Sequence, residues 1–173
     1  MTEDEMQDRD TRRQRTREAI TDALIRLMFS RRYAAIRTTD LIQAADVGRS
    51  TFYEHFRSKD EVLVAVVEPI LAPFARAAAG RGNTARLCAM LDHLWERRAL
   101  ARHLFEPPLL ARLQRRLAAM IELLAEPHGD EVVPASLAAR GAAAGQLVML
   151  HTWLIGEVSC RPDALAKALV GVR

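Results

Sequence analysis

The 173-residue chain is expected to be all-α, with a small N-terminal unit built around a helix-turn-helix and a larger helical unit after it. Three observations lead there. Ala and Leu abound while runs of β-branched residues are scarce, which favours helix over strand. Apolar residues recur three and four apart along most of the chain, as a buried helical stripe requires. A tight corner, Asp46-Val47-Gly48, separates two short helical segments near the N-terminus. Half the residues are apolar and 27% are charged, ordinary values for a globular protein with a real core.

Residues 1 to 10 are polar, with Glu3, Asp4, Glu5 and Asp8, and read as a flexible acidic tail. Residues 11–60 read as the first domain. An arginine run, Arg12, Arg13, Arg15 and Arg17, merges into a helix whose apolar stripe is Ile20, Ala23, Leu24, Leu27 and Met28. Tyr33 and Ile36 pack under the next turn. A second helix takes Thr38 or Thr39 as its cap, with Leu41, Ile42, Ala44 and Ala45 inward. Asp tolerates a left-handed backbone and Gly accepts almost any, so Asp46 to Gly48 suits the corner. The third helix, from about Arg49 to Phe56, is too short to stand alone. Phe52 and Phe56, four apart, pin it to a core, while Arg49, Ser50, Thr51, Tyr53 and His55 carry donors elsewhere.

Residues 61–173 read as the second domain. Ser58 and Glu61 form a capping box that starts a helix continued by Val62, Leu63, Val66 and Val67. Pro69 and Pro73 fall inside its extrapolation and are expected to bend or interrupt it. Gly80-Arg81-Gly82-Asn83 is a loop. A helix from Thr84 follows with Leu87, Cys88, Leu91, Leu94 and Trp95, and Glu106-Pro107-Pro108 punctuates the next element. Leu109 to Leu124 forms a long helix with Leu110, Leu113, Leu117, Met120, Ile121 and Leu124 on one face. Pro127 to Pro134, containing His128-Gly129-Asp130, is a loop. Ala135 to Gly156 is rich in small residues, and Pro162-Asp163 opens a terminal helix with Leu165, Ala168, Leu169 and Val172 on one side.

Several chemistries find no support. There is no nucleophile–base constellation, no Gly-rich phosphate loop and no metal-ligand spacing, so no catalytic residue, metal or cofactor is expected. His93 and His103, ten apart and flanking Trp95, read as sharing one helical face rather than as a ligand set, and His151 as a core or interface histidine. Cys88 and Cys160 lie far apart and read as reduced core thiols. No signal peptide opens the chain and no apolar run would span a bilayer, so a cytoplasmic location without membrane contact is expected.

Charge and motif point the other way, toward nucleic acid. The net charge is only +3, but residues 9 to 61 hold twelve Lys or Arg against eight acids. The positive field is concentrated in the N-terminal unit, as phosphate binding needs. A short helix pinned by two Phe and offering Arg, Ser, Thr and Tyr near its N-terminal end suits the major groove. The run A-x-V-x-R-x-T-F-Y-x-H-F-x-S-K-D-E from Ala45 to Glu61 closely resembles the DNA-binding signature of TetR-type transcriptional regulators. The signature covers about residues 13 to 65; beyond it the resemblance is one of architecture. Three positions depart from the family pattern: Asp46 for the usual Gly, Gly48 for a frequent Ser or Thr cap, and Arg37 for Thr or Ser.

The resemblance implies a homodimer on double-stranded DNA carrying an inverted repeat, most simply a repressor released by a small effector. It implies base contacts from Arg49 and Ser50, with Thr39 as a third, and phosphate contacts from Thr38, Thr51, Tyr53, His55 and Lys59. It also implies a ligand pocket in the second domain, for which Phe74, Met90, Leu94, Trp95, His103, Phe105, Leu117, Met120 and Met149 are candidates. The same residues equally describe an ordinary core. Leu147, His151, Leu154, Leu165 and Leu169 are candidates for a dimer interface made by the last two helices. The competing readings are a helical protein-interaction module and a small-molecule-binding protein without regulatory DNA contact.

Overall fold

The computed structural model describes residues 3–126 and 133–171. Among them the chain forms nine α-helices and one 3-10 turn, with no strand. It divides into two compact units, Met1–Val67 and Glu68–Arg173. The division falls after the expected boundary at residue 60 because Val62, Leu63 and Val67 are buried in the first unit's core.

The first unit holds α1 (Glu3–Ser30), a 3-10 turn (Tyr33–Ala35), α2 (Thr38–Ala44), α3 (Arg49–His55) and the start of α4 (Lys59–Ala78). Residues 3–10, expected as a flexible tail, are helical. No Gly or Pro interrupts the sequence from Glu3 to Ser30, and Thr11 Oγ1 donates back to the Gln7 carbonyl at 2.8 Å. Ile20, Ala23, Leu24 and Met28 are buried, so the stripe read from the sequence faces the core.

Thr38 and Thr39 are the first residues of α2 rather than its cap. Arg37 is the cap residue, and its amide donates to the Asp40 carboxylate at 2.7 Å. The corner is made by Asp46 alone, at φ 52°, while Gly48 is extended and serves as the cap position of α3. Glu61 N–H donates to Ser58 Oγ at 3.3 Å, but the Glu61 carboxylate reaches back to the Arg57 amide instead of closing the box on Ser58.

The second unit holds the rest of α4, then α5 (Thr84–Glu96), α6 (Arg98–His103), α7 (Leu109–Leu124), α8 (Ala135–Leu154) and α9 (Pro162–Gly171). Neither Pro69 nor Pro73 interrupts α4. Proline already holds a helical φ, so the cost is the missing donors, which leave the carbonyls of Ala65 and Pro69 without their usual partners. Leu113, Leu117 and Ile121 of α7 are buried with Ala139, Ala143, Leu147 and Leu150 of α8. Small residues on α8 let the two helices approach closely. Leu87, Leu91 and Leu94 of α5 are buried with Leu165, Ala166 and Leu169 of α9.

Ala168, expected inward, is exposed and Ala166 takes its place; Leu110, Met120 and Leu124 are half-buried. Cys160 is exposed and Cys88 half-buried, so neither is a core thiol. The expected loop around His128-Gly129-Asp130, and Val172, lie outside the described residues.

Gln146 is the one fully buried polar side chain in the second unit's described core. Its amide donates to the carbonyls of Phe74 at 3.1 Å and Leu169 at 3.2 Å, tying α8 to α4 and α9. Trp95 packs on Trp153 with ring centroids 4.7 Å apart, and Trp153 Nε1 donates to the Cys160 carbonyl at 3.0 Å.

The loop after α4 is a Schellman turn. Gly80 sits at φ 72°, its amide donates to the Ala77 carbonyl at 3.1 Å, and the Arg81 amide donates to the Arg76 carbonyl at 2.8 Å. Gly82 approaches so closely that a Cβ there would lie 2.8 Å from Ala77 Cα. Gly82→Ala is therefore expected to lower unfolding free energy by about 1–3 kcal/mol in urea titrations. Gly80→Ala, which meets only a backbone penalty, should cost about 1 kcal/mol.

Candidate nucleic-acid interface

A seven-residue helix has little stability of its own, so what presents α3 is its surroundings. Phe52 and Phe56 are buried and pack on each other with centroids 6.2 Å apart. Full burial of such a side chain contributes about 1.5–3 kcal/mol. Arg17 of α1 stacks on the Phe56 ring at 4.4 Å and points a guanidinium N–H at the His55 carbonyl, 3.5 Å away. Arg26, also from α1, donates to the Ala44 carbonyl at 2.8 Å. Two guanidinium groups of one helix thus meet the C-terminal carbonyls of α2 and α3, where partial negative charge gathers.

With its inner face and its C-terminal end occupied, α3 leaves its N-terminal end outward. Arg49 and Ser50 are exposed, and Tyr53 is 47% exposed despite its size. Arg49 lies over the Tyr53 ring at 5.8 Å, so the two project together. Thr39 is exposed on the first turn of α2; Thr38, Thr51 and His55 are half-buried. Since neither threonine serves as the α2 cap, their hydroxyls are not committed to that role. Arg37, exposed at the cap position of α2, is a cation the sequence reading passed over. Its place just before two threonines was the available signal. Of the arginine run, Arg12, Arg13 and Arg15 are exposed, whereas Arg17 is engaged with α3.

Lys59, expected at a phosphate, is engaged within the first unit. Its ammonium donates to the Ile36 carbonyl at 2.6 Å and the Tyr33 carbonyl at 3.1 Å, and lies over the Tyr33 ring at 4.5 Å. Tyr33 in turn hydrogen-bonds through its hydroxyl to Asp60. This cluster fastens the turn before α2 to the start of α4. Lys59 thereby braces that turn against α4.

Phe74, Leu94, Phe105 and Leu117 are buried in the second unit's core, Met90, Met120 and Met149 are half-buried, and Trp95 and His103 lie at the surface. None of the nine lines the cavity walled by α4, α7 and α8. That cavity, about 520 Å³, is walled by small residues, Ala78, Ala139 and Ala142, with Ile121, and edged by Arg81 and Glu126. Of the interface candidates, Leu147, Leu154, Leu165 and Leu169 are buried within their own unit, and His151 stacks on Phe105 at 4.8 Å. What α8 and its C-terminal cap residue expose is Leu137, Val148 and Ile155, at 59%, 60% and 40%. On α9, Ala164 and Ala168 are exposed. The last two helices were expected as a pair, but α8 packs chiefly on α7 and α9 on α5.

No group of metal-binding side chains occurs among the described residues. No described helix is long and apolar enough to cross a membrane. Burial and the neighbouring Asp92 carboxylate push the Cys88 thiol up, away from a nucleophilic thiolate.

Lys59→Ala is expected to destabilise the first unit by about 1–3 kcal/mol, because two half-buried carbonyls lose a charged donor. Thermal or urea unfolding followed by tyrosine signal measures it. A purely phosphate-binding lysine would leave that transition unmoved.

The family described as bacterial regulatory proteins, tetR family, matches over residues 20–66. The HTH-type transcriptional regulator EthR of Mycolicibacterium smegmatis is 35% identical over 65 residues, 38% of this chain and 29% of that protein. The uncharacterised HTH-type transcriptional regulator YxbF of Bacillus subtilis is 33% identical over 60 residues, 34% of this chain and 16% of that protein. The matches thus span less than a third of either curated relative. Among solved structures, a TetR transcriptional regulator from Streptococcus agalactiae superposes with a TM-score of 0.59 at 24% identity, covering 96% of this chain and 97% of its own. The dihydroxyacetone kinase operon activator DhaS superposes at 0.54 with 22% identity, covering 90% and 92%. The chain therefore carries a tetR-family N-terminal domain and has the all-helical fold of solved TetR regulators.

Proposed function

We propose that the protein is a homodimeric, DNA-binding transcriptional regulator, a repressor that leaves an inverted-repeat operator when a small, largely apolar effector binds. The observation that carries the reading is α3: a short helix held by Phe52, Phe56 and Arg17, with Arg49, Ser50 and Tyr53 outward. Its N-terminal end presents donors where base edges offer acceptors. Arg49 reads a guanine, Ser50 and Thr39 reach neighbouring edges, and Thr38, Thr51, Tyr53, His55 and Arg37 engage phosphates. The names of the curated relatives, both HTH-type transcriptional regulators, support this assignment.

The dimer in this proposal uses the outward faces of α8 and α9. Val148, Leu137 and Ile155 with Ala164 and Ala168 give an apolar surface bearing small residues, suited to a four-helix contact with a second copy. Two copies then set two α3 helices in successive major grooves, one turn of about 34 Å or somewhat more apart. The effector occupies the alanine-walled cavity. It releases DNA only if it binds more tightly to a dimer whose reading helices are wrongly spaced.

Selection from a random DNA pool should enrich an inverted repeat; recovery of no palindrome would decide for a helical module without regulatory DNA contact. Arg49→Ala should lose about 1–3 kcal/mol on the selected site and relax one position, with little change on random DNA. Gel-shift titrations on both duplexes distinguish this from a phosphate role, which would weaken both alike. Val148→Glu should give a folded monomer by light scattering, and operator affinity should fall with it.

A further inference from the structure

A second, smaller cavity of about 260 Å³ lies in the second unit and is lined by Pro73, Arg76, Arg81, Asn83 and Arg86. Three of its five lining residues are arginines and none is an acid. We propose that this cavity binds a small multivalent oxyanion, a phosphate monoester or a polycarboxylate. The assignment goes beyond the DNA-reading role and does not depend on it.

The chain brings these cations together by backbone geometry. The Schellman turn closes Arg81 N–H onto the Arg76 carbonyl at 2.8 Å, so the two residues flank one turn of backbone. The close approach of Gly82 to Ala77 fixes the path of the loop that follows. Asn83 then caps α5, accepting from the Arg86 amide at 3.0 Å, which sets Arg86 on the first turn of that helix. The three arginines therefore stand on a helix end, a rigid turn and a helix start.

Charge decides what the cavity suits. Arg81 is paired with Glu126 at 2.6 Å and contributes part of its charge. Arg76 and Arg86 are exposed and make no ion pair with a described residue. The N-terminal end of α5, a 13-residue helix, adds partial positive charge on the same side as its cap, Asn83. A site lined by two arginines without an ion pair to a described residue, and a third whose charge Glu126 offsets, favours a ligand of about two negative charges. A phosphate monoester carries about −1.5 to −2 at neutral pH. Guanidinium forks match phosphate and carboxylate oxygens two at a time. The volume fits a small molecule, and a concave pocket suits an anionic head group better than the convex backbone of a duplex does.

Isothermal titration of the full chain at low salt, without DNA, tests the site with glycerol 3-phosphate, citrate and inorganic phosphate as probes and uncharged glycerol as control. Saturable binding of at least one oxyanion and none of glycerol is expected. The Arg76→Ala/Arg86→Ala double variant should weaken it about tenfold or more with an unchanged circular dichroism spectrum. Arg140→Ala, which removes one exposed charge elsewhere on the unit, should leave it unchanged. Which probe binds best separates phosphate from carboxylate recognition. No saturable binding, or equal weakening by Arg140→Ala, would overturn the proposal. So would a double variant that lost only DNA affinity, since the arginines would then serve a duplex. None of these binding readings requires an operator, so loss of the regulator reading would leave the result standing.

Discussion

The burial of Phe52 and Phe56 is the constraint on which the first unit depends. Seven residues of helix cannot hold their shape in water, and α3 has no side-chain cap at Gly48 to help. Its geometry is imposed from outside, by two rings sunk into the core and by Arg17 closing over the second of them. That arrangement separates tasks along a very short element. Residues facing the core fix position, and those at the N-terminal end are released from structural duty. The same separation explains Lys59, which sits beside the exposed donors in sequence yet holds up the turn behind them.

Much of this was legible in the sequence, and the reason is local. Phe52 and Phe56 four apart, the apolar stripe of α1 and the Asp46 corner are short-range signals that tertiary context has little freedom to overturn. The corner shows the limit of such reading: Asp46 and Gly48 both tolerate unusual backbone, and only Asp46 uses it. Cap assignment slipped by one residue at α2, because Thr38, Thr39 and Arg37 all stand within reach of the helix start and Asp40 settled the matter from inside. That the prolines do not end the helix has a physical reason as well. A helix that is held by packing on both sides of a proline can absorb the lost hydrogen bonds without breaking.

The second unit was less legible. Its helices are apolar on more than one face, so periodicity marks them as helices without saying which stripe is inside. Leu147, Leu154, Leu165 and Leu169 went inward, leaving Val148 and Ile155 outside. The cavities escaped prediction for a related reason. Their walls are alanines and arginines, residue types too common to stand out, and they converge only because a Schellman turn and a tight glycine fold the chain back at residues 80–82.

The aromatic residues divide between the units in a way that has a practical meaning. Both tryptophans lie in the second unit, stacked on each other, and both tyrosines lie in the first. Red-edge excitation therefore lights only the α5–α8 contact, and any event confined to the first unit is silent there. The molecule thus carries an optical reporter of its second unit alone.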